Sequence, residues 1–148
     1  MPDMEFHLAG AVRAATATAP VNVFFHGPLT QLELGRLYSH VDVGIGNLAL
    51  ETIGRLRPSP LKVREYVRAG LPCVIAHEDP DLPPDPSVLR LPFGFVPTPE
   101  LANSLRRFVV ANLGSTCSGA VAESVSLSSK EAVRAQLLRC VATTGSAR

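Results

Sequence analysis

At 148 residues the chain has the length of one domain, enough to bury roughly 70% of the surface that an unfolded chain exposes. Charged residues make up 18% and apolar ones 46%, which excludes a disordered or highly solvated chain. Fourteen Lys and Arg against thirteen Asp and Glu leave a formal net charge of +1 with no block of like charge, so there is no electrostatic footprint for nucleic acid or an anionic membrane.

The N-terminus lacks the order of a signal peptide, and no apolar run approaches the about 20 residues that span a bilayer. The expected compartment is the cytoplasm, with peripheral attachment to the inner membrane face left open. Cys73, Cys117 and Cys140 are odd in number and show no CxxC or His/Cys spacing, so free buried thiols are expected, with neither a disulfide framework nor a metal site.

Taken in chain order, residues 5–9 (EFHLA) predict a strand, 11–19 a short helix, and 21–25 (VNVFF) a buried strand ending at His26 and Gly27. Thr30 and Glu33 have capping-box spacing and open a helix over 31–39. Residues 41–45 (VDVGI) predict another buried strand, whereas 48–56 are apolar without a clear period.

Ser59 and Pro60 give a helix start, with Ser as N-cap and Pro at the first helical position, and Gly70 and Pro72 give the stop. A strand over 73–76 (CVIA) follows, and the Pro-rich run 79–86 reads as a long loop. A weaker strand falls at 88–91 or 94–96. Thr98, Pro99 and Glu100 repeat the cap-and-proline start for a helix to about residue 113, and Ser128 with Glu131 caps a last helix over 128–141.

Short apolar strands alternating with helices indicate an α/β fold, a Rossmann-like doubly wound parallel sheet with helices on both faces. In such sheets ligands sit beyond the carboxyl ends of the strands.

The helix from Pro60 is the segment that carries chemistry. Val63, Tyr66, Val67 and Gly70 fall at i, i+3, i+4 and i+7 and form its face toward the sheet. Lys62 and Glu65, three apart, are neighbours on the other face. A first-turn lysine opposes the helix dipole unless an anion binds there, in which case the free N–H groups and Lys62 share a phosphate. Glu65, one turn deeper, has two oxygens to accept hydrogen bonds from a vicinal diol. Phosphate beside diol describes a nucleoside diphosphate. The same spacing also fits a solvated Lys62–Glu65 ion pair.

Other residues carry weaker signals. His26 reads as a hydrogen-bonded structural histidine, and His7, His40 and His77 share no metal-ligand spacing. Asp42 reads as structural. Arg64 and Arg68, like charges at i, i+4, are expected to spread into solvent or to assist a pyrophosphate. Gly44 and Gly46 in GIGN do not form a GxGxxG fingerprint, which leaves a nicotinamide site without support.

The run SPLKVREYVRAGLPCVIA, with the preceding VNVFFHGPLTQLELGRLYSHVDVGIGNLAL, resembles the C-terminal donor-binding domain of bacterial GT-B fold glycosyltransferases of the family 4/group 1 type. The resemblance covers residues 5–76 well and the remainder loosely. It implies a nucleotide-diphosphate sugar as donor substrate, with no other cofactor and no metal.

It implies further that Glu65 binds the donor ribose hydroxyls and that Lys62 meets the diphosphate. Ser59, Pro60 and Leu61 would form the helix start facing the diphosphate, and Gly27, Pro28 and Leu29 the loop passing the base. Family members with paired glutamates carry another Glu eight residues before the ribose-binding one; here that position is Arg57.

Only four residues precede the segment matching the family's second strand. The resemblance therefore implies an N-terminally truncated domain, lacking its first βα unit and the acceptor-binding domain. Such a chain is expected to be inactive alone and to use an unpaired sheet edge for a homodimer or a partner chain. A non-catalytic Rossmann-like module for nucleotide binding or assembly is the alternative. A receiver or flavodoxin-like domain would need clustered acids or a phosphate loop after the first strand, and the sequence has neither.

Overall fold

The computed structural model describes residues 3–11, 19–48, 61–92, 94, 96–126, 128, 131–132 and 135–136. Their order is β1 (Phe6–Ala9), β2 (Val23–Gly27), α1 (Gln31–Tyr38), β3 (Gly44–Ile45), α2 (Leu61–Arg68), β4 (Cys73–Ile75), β5 (Val88–Arg90), α3 (Pro99–Ala111) and α4 (Gly119–Ser124). Most of the expected short helix over 11–19, most of the ambiguous run 48–56, the start at Ser59 and Pro60, Arg57, Cys140 and most of the last helix lie outside the described residues. The fold is α/β, with parallel strands in two small sheets, β1-β2 and β3-β4-β5. It divides into two compact units, Met1–Val41 and Asp42–Arg148.

In the first unit β1 and β2 pair in parallel, Phe6 with Val23, His7 with Phe24 and Leu8 with Phe25. The register then slips, so that Ala9 pairs with Gly27 and His26 is the additional residue on β2. Phe6, Leu8, Val23 and Phe25 are half-buried while His7, Phe24 and His26 are exposed. This alternation corrects the expectation of a buried strand at 21–25: no described residue of this unit is fully buried. Helix α1 starts with the expected capping box, in which Thr30 Oγ1 accepts from the Glu33 N–H and Glu33 Oε2 accepts from the Thr30 N–H at 2.8 Å.

The second unit holds the core. Strand β4 is its axis, flanked by β3 and β5, both parallel to it, and all three of its residues are buried. Because a strand alternates its side chains, β4 feeds two clusters. Cys73 and Ile75 pack with Val63 and Val67 of α2, Val88 of β5, Leu82 and Val121 of α4. Val74 and Ala76 pack with Leu91 on the other face, covered by Leu101, Leu105 and Phe108 of α3. Helices thus cover both faces of this three-stranded sheet. Burying each such Val, Leu or Ile contributes about 1.5 to 3 kcal/mol.

Local chemistry sets the helix ends here. Thr98 caps α3, accepting from the Leu101 N–H, with Pro99 in its first turn as expected. Helix α4, which the sequence patterns did not reveal, is capped by Ser118, whose Oγ accepts from the Val121 N–H and donates to Asp85 at 2.6 Å. The bound Asp85 also accepts from Ser87 Oγ at 2.6 Å and from the Ser87 N–H at 2.8 Å, fixing α4 to the start of β5. Gly70, at φ +81°, ends the turn after α2 in the left-handed region open to glycine.

Candidate functional site

The candidate site is the first half of α2, where it meets the carboxyl ends of β3 and β4. Tyr66 and Arg64 show how it is placed. The Tyr66 hydroxyl donates to the carbonyl of Ile45, the last residue of β3, at 3.1 Å. Arg64 reaches Asp79, four residues beyond β4, with Nη1 to Oδ2 at 2.8 Å and Nη2 to Oδ1 at 2.7 Å. A helix linking two parallel strands runs back along them, so its N-terminal half stands at the strands' carboxyl ends.

The helix lies close against β3 because β3 carries no side chains on that line. A Cβ on Gly44 would come within 2.4 to 2.9 Å of the Tyr66 ring, and one on Gly46 within 3.0 Å of the Val74 carbonyl and 3.1 Å of Val63. The two glycines of GIGN therefore serve helix-on-strand packing.

Leu61 is exposed at the start of α2. Lys62 in the first turn is half-buried, and among the described residues no carboxylate pairs with it. Burial alone draws its ammonium below the usual lysine value, because a charge removed from water without a partner is disfavoured. Glu65 is half-buried one turn on, and its charge helps to raise the Tyr66 phenol, after burial as the larger cause. Lys62 and Glu65 do not form the ion pair that their spacing also allows.

Gly27, Pro28 and Leu29 belong to the first unit, between β2 and α1. Leu29 lines a shallow open groove of about 290 Å³ with His26, Glu33, Arg36, Leu37 and His40. His40 also holds the end of α1 through Nδ1, 2.7 Å from the Arg36 carbonyl.

Arg64 departs from the expectation of solvent exposure. Its side chain is 13% exposed and held by Asp79, with Asp81 Oδ2 a further 2.9 Å acceptor. It anchors α2 rather than offering a free guanidinium to a pyrophosphate; Arg68 is exposed. Asp42 is structural, accepting from the Gly114 N–H at 3.0 Å. Cys73 and Cys117 are free thiols; burial, with the neighbouring Cys117, pushes Cys73 up to about 11, which leaves it unreactive as a thiolate.

Two histidine features escaped the spacing rules. Strand pairing brings His7 Nδ1 to 2.9 Å from His26 Nε2, with ring planes within 19° and centroids 5.2 Å apart. Centroids that far apart at so short a nitrogen contact mean that the rings meet edge to edge. The two lone-pair directions face one another along a line, which suits one shared proton and not a metal ion. Glu5 Oε2 stands 3.6 Å from the other nitrogen of His7. Among the described residues no group of three or more metal-ligating side chains occurs, and no helix is long and apolar enough to cross a membrane. The second feature is His77, buried just beyond β4.

Compared with known proteins, the chain matches no family model, no curated protein and no solved structure.

Proposed function

We propose that the chain is the donor-binding domain of a glycosyltransferase, a Rossmann-like, doubly wound half of a GT-B fold that holds a nucleotide-diphosphate sugar for transfer to an acceptor carried by another domain or chain. The observation that carries this reading is Lys62. A half-buried ammonium in the first turn of α2, without an acidic partner among the described residues, stands where a helix dipole already favours an anion.

Glu65 follows one turn on along the same helix, where its two carboxylate oxygens would accept from the ribose hydroxyls. Leu61, with Ser59 and Pro60 before it in the sequence, would complete the phosphate-facing helix start. In the assembled enzyme Lys62 and the helix start would stabilise charge on the departing nucleoside diphosphate, a role that needs no metal.

Arg57 favours a second reading, a binding module without transfer activity, because it replaces the first of the family's paired glutamates with a residue of opposite charge. Calorimetric titration of the folded chain with UDP, GDP and ADP tests the donor reading. A measurable heat with one of them supports it. No binding of any of the three would count against both nucleotide-binding readings.

A further inference from the structure

Packing leaves one buried group unexplained. His77 lies two residues beyond β4, its side chain is wholly buried, and neither ring nitrogen has a hydrogen-bond partner. Nε2 stands 3.9 Å from Oδ2 of Asp79, whose side chain is equally closed off. That oxygen is already engaged by Arg64 Nη1 at 2.8 Å, while Oδ1 accepts from Arg64 Nη2 at 2.7 Å and from the Asp81 N–H at 3.0 Å. Arg64 in turn has a second carboxylate in hand, Asp81 Oδ2 at 2.9 Å, which is 28% exposed. The carboxylate nearest to His77 is thus shared between two suitors, and one of them holds a substitute.

We propose that His77, Asp79 and Arg64 form an acid-operated exchange of partners, in which protonated His77 takes the Asp79 oxygen held by Arg64 at neutral pH, Arg64 falls back on Asp81, and the two-bond fork between α2 and Asp79 opens. One proton enters from solvent and resides on the imidazole; no other bond changes. The neutral ring is tolerated without a partner because its desolvation cost is small beside that of an unpaired cation. The cation has the Asp79 Oδ2 within a short side-chain movement.

The charges around the ring set the direction. Burial holds His77 below the usual histidine value; Arg64 from α2 and Arg90 from β5 oppose the cation, while Asp79 and the backbone of Asn47 beyond β3 favour it. The exchange therefore falls on the acid side of about pH 6.5. It depends on none of the donor-site assignments.

The test is an NMR titration of the full chain, labelled with ¹³C and ¹⁵N, from pH 7.5 toward pH 4.5. The His77 ring is expected to titrate below the usual histidine value of about 6.5, with the Arg64 guanidinium signals moving at the same midpoint, reversibly, in a chain that stays folded. His77→Gln is expected to abolish the Arg64 response. Asp81→Asn, which removes the fallback partner, is expected to move the midpoint to lower pH. Arg64 signals that stay still while His77 titrates, a His77 ring that stays neutral until the chain unfolds, or a midpoint unchanged by Asp81→Asn would each overturn the proposal.

Discussion

Arg64 grips Asp79 through two parallel hydrogen bonds, 2.8 and 2.7 Å long, between side chains that are 13% and 0% exposed. The pair joins the candidate-site helix to the segment after the central strand. Taking two charges out of water is costly, and only the fork geometry with the added Asp81 contacts offsets it. Asp79→Asn, which leaves Arg64 with Asp81 alone, is expected to lower stability by about 1 to 3 kcal/mol. Arg64→Lys, which keeps the charge but not the fork, should cost about 1 to 3 kcal/mol. Urea unfolding measures both. An Arg64→Lys chain with an unshifted midpoint would mean that the fork contributes nothing beyond its charge.

Gly44 and Tyr66 yield a second prediction. A methyl group at residue 44 would sit inside the contact distance of the Tyr66 ring, so either the ring leaves β3 or the helix does. Gly44→Ala is expected to cost about 1 to 3 kcal/mol through overpacking. Tyr66→Leu, which also removes the hydroxyl bond to Ile45, should cost stability by itself yet relieve the Gly44→Ala penalty. A double-mutant cycle reads the coupling directly. Strictly additive losses would show that the two residues do not meet.

These pairs also mark how much the sequence discloses. The Thr30–Glu33 capping box, the Thr98 cap before Pro99 and the apolar run of β4 are local patterns, fixed by hydrogen bonds and side chains only a few residues apart, and they were legible. The grip of Arg64 on Asp79 spans 15 residues and a chain reversal, and no spacing rule encodes it. Gly44 and Gly46 fail the GxGxxG pattern in the sequence and show their packing role only when Tyr66 and Val63 lie across them. Helix α4 is short, and its start depends on a serine whose own partner, Asp85, lies 33 residues earlier. For the candidate site, periodicity placed Lys62 and Glu65 on one helix face but gave no depth. The half-burial of Lys62 is set by the surrounding fold.

Asp85 gives the acid limb of stability. Hydrogen bonds from Ser118, then Ser87, hold its carboxyl below the usual aspartate value. A carboxyl depressed in the folded state contributes stability that is fully present above the unfolded value, about 3.9, and is lost as pH falls through the folded value. Stability should therefore decline as pH drops below about 4, with α4 loosening as its cap loses an acceptor. Asp85→Asn should lower stability at neutral pH and flatten this limb. Unfolding midpoints measured between neutral pH and pH 3 decide it; an Asp85→Asn chain with the same acid slope as the parent would remove Asp85 from the account.

The donor-site reading makes a prediction about protons as well as affinity. Burial draws the Lys62 ammonium below the usual lysine value, and a bound diphosphate would favour the charged form and draw it back up. A ligand that raises a pKa binds with proton uptake wherever the free group is partly deprotonated. Uptake should therefore grow, and affinity fall, as pH rises toward the usual lysine value of about 10.4. Titrations with UDP, GDP or ADP in buffers of differing ionisation heat, at pH 7 and pH 9.5, measure it. Lys62→Ala should abolish the alkaline uptake and weaken the diphosphate more than the bare nucleoside. Glu65→Gln should weaken both by about 1 to 3 kcal/mol, because it removes charged hydrogen bonds to the ribose they share. Equal losses for diphosphate and nucleoside in Lys62→Ala, with the alkaline uptake intact, would place the phosphates away from α2 and end the donor-site reading.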